Sequence, residues 1–229
     1  MIRLEGVTHR YGDRVVLRDV DLVLDERRVA VIGANGSGKS TLARLLNGLV
    51  LPSEGRVLVN GHDTRRDGAA VRRLVGFVFT DPDAQIVMPT VAEDIAFSLR
   101  RRGLPRDERD RRVAGVLDRF GLAEHADQPA HLLSGGQKQL LALAAVLVTE
   151  PSVLVCDEPT TLLDLRNAAL VASLLAGLPQ QVVLVTHHLD LVDAYDRVLV
   201  VDAGRVVHDG PPRDAVAAYR ALVLGSRTP

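Results

Sequence analysis

The segment from Gly33 to Thr41 has the residue types and the spacing that bind phosphate groups. It follows the pattern G-x-x-x-x-G-K-[ST], and the apolar stretch VAVIG (29–33) leads into it. Glycines in such a loop let backbone N–H groups converge on phosphate oxygens, and the following helix adds the positive end of its dipole. We predict that Lys39 contacts the β- and γ-phosphates and that Ser40 places a hydroxyl on Mg²⁺. The predicted ligand-binding residues of this loop are Gly33, Ala34, Asn35, Gly36, Ser37, Gly38, Lys39, Ser40 and Thr41.

Two adjacent carboxylates follow another apolar stretch, VLVC (153–156). Ligands of α/β sheets bind at the carboxyl ends of the strands, which is where Asp157 and Glu158 are expected to lie. Asp157 is placed to hold Mg²⁺ through its water shell, and Glu158 to polarise an attacking water as a general base. Cys156 is interpreted as a small buried residue.

The composition restricts the classes of function. Of 28 basic residues only Lys39 and Lys138 are lysines, and both fall inside motifs, so lysine at these positions needs a specific reason. A formal net charge of -1 gives no electrostatic reason to expect nucleic acid as a partner. The single cysteine fits a reducing compartment. No apolar stretch approaches the roughly 18 residues needed to span a bilayer, so a membrane role must go through a partner.

Alternating strand and helix patterns surround the two motifs and predict an α/β fold with a mostly parallel sheet. Short strands are expected within residues 2–33. Further strands are predicted at 56–61, 75–79, 153–156, 182–186, 197–202 and 205–209, and helices at 39–47, 67–73, 164–176 and 189–195.

A mainly helical segment interrupts this alternation after residue 80. Thr90 and Glu93 form a capping-box pattern that starts a helix running to about Arg102. Charged residues favour a second helix over 105–120, and an apolar buried helix is predicted over 134–149. We expect a helical lobe inserted into the α/β domain.

The segment Leu133 to Gln139, Leu-Ser-Gly-Gly-Gln-Lys-Gln, resembles the signature motif of ATP-binding cassette (ABC) proteins. Ser134 and Gln137 are placed to form a capping box, and Gly135 and Gly136 expose N–H groups at a positive helix end. The resemblance implies a P-loop NTPase fold in one domain, 1–229. Its parts would be a RecA-like core (1–80 and 150–229), an N-terminal antiparallel β subdomain and a helical subdomain of about 81–149.

The same resemblance implies that ATP binds between two subunits arranged head to tail. Ser134 to Gln137 would contact the γ-phosphate bound by the opposite subunit, and a homodimer is favoured. Tyr11 would stack on adenine, Asp164 would lie in the loop that crosses the dimer interface, and His187 would contact the γ-phosphate. The other histidines are expected to be solvated: His9, His62, His125, His131 and His208.

One position departs from the family pattern. The family has Gln directly after the strand VGFVF, where it contacts Mg²⁺ or water and relays the nucleotide state to the membrane partner; this chain has Thr80. Threonine is too short for the same reach. Gln85 follows five residues later, and whether it compensates is left open.

Residues 81–97 are similar to those of the energy-coupling-factor (ECF) group of importers. That similarity implies a transmembrane coupling subunit, a substrate-binding membrane protein and a peripheral position on the cytoplasmic face of the cell membrane. Within the group the segment is most similar to the biotin-transporter ATPase, and the ATPase of a cobalt or nickel importer or of another vitamin importer is the alternative. Ile86, Val87 and Met88 either pack under the helical lobe or form the edge of a groove for a coupling helix.

The role of one charged surface and two further classes of function stay open at this stage. Seven arginines are interpreted as a solvated, salt-bridged face, with lipid headgroups as a lesser alternative: Arg100, Arg101, Arg102, Arg106, Arg109, Arg111 and Arg112. A soluble ABC ATPase acting on ribosomes or DNA is a second class of function. A third class of function is a regulatory nucleotide-binding subunit with weak hydrolysis. Glu158 argues against this class, whereas Thr80 keeps it open.

Overall fold

The computed structural model describes residues 1–225, and two β-sheets organise this part of the chain. The first sheet is antiparallel and has the strand order β2-β1-β4-β5. Its strands are β1 (Ile2–Tyr11), β2 (Arg14–Leu24), β4 (Glu54–Val59) and β5 (His62–Asp63). β1 and β2 are long strands of 10 and 11 residues, so the expectation of short strands at the N-terminus was wrong.

The second sheet has six strands in the order β10-β9-β3-β8-β7-β6, and only its edge pair β10–β9 is antiparallel. The strands are β3 (Arg28–Ile32), β6 (Val75–Val78), β7 (Val153–Asp157), β8 (Gln181–Val185), β9 (Arg197–Asp202) and β10 (Arg205–Gly210). The predicted mostly parallel sheet is therefore confirmed. The carboxyl ends of β3, β8 and β7 lie side by side, because these strands are parallel neighbours.

Both faces of the six-stranded sheet are covered. Successive residues of β3 point into different cores. Val29 and Val31 pack in the core shared with the antiparallel sheet and with residues 42–46, whereas Ala30 and Ile32 pack in the core shared with the helices between residues 91 and 147. This burial on both faces explains why the strand sequences show no polar alternation. The helices around the sheet are α1 (Lys39–Leu46), α2 (Gly68–Leu74), α6 (Leu165–Gly177) and α7 (Pro212–Gly225).

The chain between β6 and β7 contains three α-helices and three short 3₁₀ turns. The helices are α3 (Val91–Ser98), α4 (Arg106–Arg119) and α5 (Gly135–Leu147). The prediction that α3 reaches Arg102 was wrong. After Ser98 the N–H groups of Leu99 and Arg100 bond three residues back, which tightens the chain into a turn. The division into RecA-like and helical subdomains stays a prediction.

None of the helices within residues 1–225 is both long and apolar enough to cross a membrane.

Thr90 caps α3 as predicted, since its hydroxyl accepts from the N–H of Glu93 while the Glu93 carboxylate accepts from the N–H of Thr90. We expect Thr90→Ala to lower the free energy of unfolding by about 1 kcal/mol, because an N-terminal N–H of α3 loses its partner. Urea unfolding followed by circular dichroism measures this. Thr90→Ser keeps a capping hydroxyl and serves as the control; an equal loss in both variants would contradict the capping explanation.

Candidate functional site

The phosphate-loop sequence connects β3 to α1 as predicted, and the packing requires two of its three glycines, Gly33 and Gly38. A Cβ on Gly33 would lie 2.1 Å from the carbonyl oxygen of Val201. Gly38 adopts φ +113°, and a Cβ there would lie 2.9 Å from the carbonyl oxygen of Val16. Backbone from β2 and β9 therefore presses against the loop, and only glycine allows that approach.

Lys39 is buried at the start of α1, with 6% of its surface exposed. Its ammonium donates to the carbonyl oxygens of Gly33 (2.8 Å) and Ala34 (3.0 Å), so the side chain folds back along the loop. Burial lowers the pKa of Lys39, while the charges of Glu158 and Asp157 oppose that shift. The lysine is therefore a desolvated cation held beside two carboxylates, which suits it to an anionic ligand.

Asp157 connects three elements at the carboxyl end of β7. Its Oδ1 accepts from the Ser40 hydroxyl at 2.8 Å, and its Oδ2 lies 3.9 Å from the Arg44 guanidinium of α1. The hydroxyl of Thr80, directly beyond β6, donates to the Asp157 carbonyl oxygen at 2.8 Å. Burial raises the pKa of the Asp157 carboxyl, against the Ser40 hydrogen bond and the Arg44 charge.

Glu158 and His187 form a direct pair. The Glu158 carboxylate Oε2 lies 2.8 Å from His187 Nδ1 and also accepts from the backbone N–H of His187. His187 follows β8, which separates β3 from β7, so the sheet order brings this histidine between the two motifs. Glu158 has φ +53°, an uncommon value for a residue with a side chain, and such strain persists where the surroundings impose it.

An open pocket of about 330 Å³ lies over the phosphate loop. Its walls bring together residues that are far apart in the sequence, and the described ones include Tyr11, Arg14, Asn35, Lys39, Ser40, Thr41 and Glu158. Tyr11 is 48% exposed and packs edge-on against His9, with ring centroids 4.6 Å apart. Nearly half of the Tyr11 surface is therefore accessible at the wall of this pocket.

The signature residues lie elsewhere, and in the described part of the chain none of them lines this pocket. The predicted capping box is present: Ser134 accepts from the Gln137 N–H, and the Gln137 side chain accepts from the Ser134 N–H. A Cβ on Gly136 would lie 2.5 Å from the side chain of Asn167, whose amide donates to Asp164. The signature start and the Asp164 loop are thus packed together within one subunit.

Gln85 does not reach toward Asp157, because both ends of its amide are engaged elsewhere. Its Oε1 accepts from the backbone N–H of Phe79 (3.1 Å), and its Nε2 donates to the carbonyl of Ala142 in α5 (3.2 Å). Gln85 therefore does not take the place of the missing glutamine at Thr80. It links the end of β6 to α5, the helix that begins with the signature residues.

Lys138 reinforces the same link. Its ammonium contacts both carboxylate oxygens of Asp83, at 2.7 and 3.0 Å, and so joins α5 to the 3₁₀ turn Pro82–Ala84. The buried carboxylate of Asp94 in α3 accepts from the N–H groups of Val87 and Met88. Residues 81–89, which we call the coupling segment, are therefore anchored to both α5 and α3.

Three of the histidines expected to be solvated are not, and one of them is His208, which is half-buried with its Nε2 shielded from solvent. His9 is buried, with Nδ1 2.9 Å from the carbonyl of Leu51. His125 is half-buried and bridges the side chains of Gln128 (2.7 Å) and Gln137 (2.9 Å), so it positions the signature glutamine. Cys156 is fully buried as expected, and burial raises the pKa of its thiol.

Comparisons with known proteins agree with this arrangement. The family described as ABC transporter matches residues 17–161, more than half of the chain. A protein of Deinococcus radiodurans is 56% identical over 96% of this chain and 97% of its own length; its provisional name is ABC transporter ATP-binding protein, with no substrate stated. The biotin transport ATP-binding protein BioM of Rhizobium etli is 48% identical over 96% of this chain and 98% of its own.

Two further proteins connect the chain to a subgroup. The energy-coupling factor transporter ATP-binding protein EcfA1 of Symbiobacterium thermophilum is 46% identical over 96% of this chain and 83% of its own. The solved structure of cbiO1 from Clostridium perfringens, part of the ABC transporter complex cbiONQ, superposes with a TM-score of 0.84 at 34% identity, covering 100% and 95% of the two chains. This chain belongs to the ABC transporter family and is an ATP-binding, ATP-hydrolysing subunit of the ECF type.

Proposed function

We propose that this chain hydrolyses MgATP as a dimer on the cytoplasmic face of the cell membrane and that it powers the import of biotin. The observation that carries the catalytic part is the Glu158–His187 contact of 2.8 Å at the edge of the pocket over the phosphate loop. Glu158 is the general base, and His187 orients it and contacts the γ-phosphate. Biotin is supported by the 48% identity to BioM across nearly the whole of both chains.

The residues beside the loop fit Mg²⁺. Ser40 and Asp157 offer two oxygens already 2.8 Å apart, and a divalent cation offsets the cost of a buried carboxylate. Within residues 1–225 no group of three or more His, Cys, Asp or Glu side chains is arranged to hold a metal. A site with so few protein ligands is sufficient for Mg²⁺, because this ion binds through one or two protein oxygens together with phosphates and water. When bound, it neutralises charge on the phosphates.

The separation of the signature residues from the pocket supports a head-to-tail homodimer. Each ATP would be bound by the loop of one subunit, with Tyr11 on the adenine, and by Ser134 to Gln137 of the other. Leu162 and Leu165 flank Asp164 and are 63% and 88% exposed, an unfavourable state for leucine that a subunit interface would relieve. The same chain supplies both halves of the site, so no second type of ATPase subunit is needed.

The coupling segment is the proposed contact with the transmembrane coupling subunit, which works with a substrate-binding membrane protein. Val87 is 63% exposed while its neighbours Ile86 and Met88 are half-buried, so the segment is partly packed and partly presented to a partner. No nucleic-acid partner is proposed.

We expect Glu158→Gln to lower ATP hydrolysis about 100-fold or more and to accumulate an ATP-bound dimer, because the base is lost while the binding groups remain. Light scattering with and without MgATP measures the dimer. Glu150→Gln, at an exposed carboxylate beyond the far end of α5, is the matched control. Intact hydrolysis with no trapped dimer in Glu158→Gln would contradict the role of Glu158 as the base.

Thr80→Val should raise the Mg²⁺ concentration for half-maximal hydrolysis about fivefold, because the Asp157 carbonyl loses its hydrogen bond and Asp157 is less well positioned. Thr80→Ser keeps the hydroxyl and should behave as the parent chain. Thr80→Gln tests the departure from the family pattern: unchanged transport-coupled hydrolysis and Mg²⁺ dependence would show that Thr80 does not tune the reaction.

Substrate identity is tested in the cell that produces the protein. Replacing Glu158 with Gln at its chromosomal position should abolish the energy-dependent uptake of labelled biotin, because the membrane subunits lose their motor. Labelled cobalt and nickel serve as the comparison. Loss of metal uptake with biotin uptake unchanged would refute the biotin proposal while leaving the ATPase assignment in place.

A further inference from the structure

The arginines around the helical segment separate into two sets in the structure. Four of the five arginines of α4 are paired with carboxylates: the pairs are Arg106–Asp110, Arg109–Asp110, Arg111–Glu108, Arg112–Glu108 and Arg112–Glu150. The fifth, Arg119, lies over the ring of Phe120. For α4 the prediction of a salt-bridged face is therefore confirmed.

The same prediction was wrong for Arg100, Arg101 and Arg102, which belong to a second set without such partners in the described part of the chain. Within residues 1–225, five arginines at the ends of α2 and α3 form no ion pair. They are Arg72, Arg73, Arg100, Arg101 and Arg102, and we call them the arginine cleft. All five are exposed, and the guanidinium of Arg102 donates only to the neutral carbonyl of Thr149 at 2.9 Å.

The arginine cleft lines two adjoining depressions that share Ser98 and Arg101. One, of about 320 Å³, lies between the end of α2 and the end of α3; the other, of about 580 Å³, has Phe97 and Arg100 on its walls. Phe97 is 43% exposed, so an aromatic ring lies at the rim of a cationic surface. The site thus combines several cations with an apolar edge.

This combination specifies the chemistry of a ligand. A guanidinium presents a planar fork of donors that matches phosphate oxygens in pairs. Like charges held close together repel, and an anion between them relieves that repulsion. A cluster of four to eight basic residues together with an exposed aromatic is typical of surfaces that lie against anionic lipid.

The position of the arginine cleft fits a membrane surface. α3 carries the coupling segment at its N-terminal end, through the bonds from Val87 and Met88 to Asp94, and the arginine cleft at its C-terminal end. Eight helical residues span about 12 Å, so the arginine cleft lies about one helix length from the proposed contact with the transmembrane coupling subunit.

We propose that the arginine cleft binds the anionic headgroups of membrane phospholipids and holds the helical segment against the bilayer beside the coupling segment. This rests on the proposed membrane-associated function. An acidic protein segment would satisfy the charges but not the exposed Phe97, whereas a lipid supplies both a phosphate and an apolar chain.

The test is co-sedimentation of the chain with vesicles of phosphatidylcholine alone or of phosphatidylcholine mixed with phosphatidylglycerol, at low ionic strength. The parent chain should bind the anionic vesicles preferentially. The triple variant Arg72→Gln, Arg73→Gln, Arg101→Gln should lose about fivefold in partitioning for each arginine, roughly 100-fold in all. Thermal unfolding and ATP hydrolysis, measured on the same preparations, should match those of the parent.

The control removes the same charge from the same part of the molecule. Arg106→Gln, Arg109→Gln, Arg111→Gln takes away three ion-paired arginines of α4 and should bind anionic vesicles within a few-fold of the parent, since each of these guanidinium groups already faces a carboxylate of its own helix and is less available to a phosphate. Equal loss in both triples would show a general charge effect and overturn the proposal.

Two other outcomes would also overturn it. One is equal binding of the parent chain to neutral and anionic vesicles. The other is binding of a polyglutamate peptide through the arginine cleft with no preference for anionic vesicles, which would indicate an acidic protein partner. Either result with ATP hydrolysis intact would leave the proposed ATPase function standing; loss of hydrolysis in the parent chain would instead contradict that function.

Discussion

The structure depends on two opposite charges removed from water at one edge of a parallel sheet. Lys39 and Asp157 are 6% and 2% exposed, and each is costly to bury alone. Parallel neighbours β3, β8 and β7 end together, so the loop after β3 and the carboxylates at the end of β7 meet there. The Ser40 hydroxyl bonded to Asp157 and the loop carbonyls bonded to Lys39 satisfy these groups. These bonds hold Lys39 and Ser40, two of the residues that line the pocket, in place.

The same edge of the sheet explains how the nucleotide-binding site can be linked mechanically to the coupling segment in a chain that has Thr80. The threonine hydroxyl bonds to the backbone of Asp157, so the end of β6 is held to the end of β7 without a long side chain. From there Gln85 and the Asp83–Lys138 pair connect the coupling segment to α5, the helix that begins with the signature residues. A force applied to the coupling segment therefore acts on α5 directly. In the proposed dimer, α5 contacts the ATP of the opposite subunit.

Much of the local structure follows from the sequence, because the contacts that produce it lie within a few residues. The capping boxes of Thr90 with Glu93 and of Ser134 with Gln137 are three residues apart, and both form as predicted. The family is identifiable for the same reason, since its motifs are short and contiguous. The end of α3 was misjudged because the chain tightens after Ser98, although the residues to Arg102 all favour helix.

The sequence alone determined the phosphate loop, the acidic pair, the signature helix and the parallel sheet that places them. Only the tertiary structure decided which partners the isolated polar residues have. Gln85 bonds to a carbonyl 57 residues away, Lys138 pairs with Asp83 across 55 residues, and His125 supports Gln137 rather than facing solvent. The arginines divide differently: those of α4 that form ion pairs do so mainly with acids three or four residues away, as the sequence predicted, whereas only the fold shows that the arginine cleft has no such partner within residues 1–225. No local pattern carries the information on contacts between distant residues, because such contacts depend on how helices from distant parts of the chain pack against one sheet.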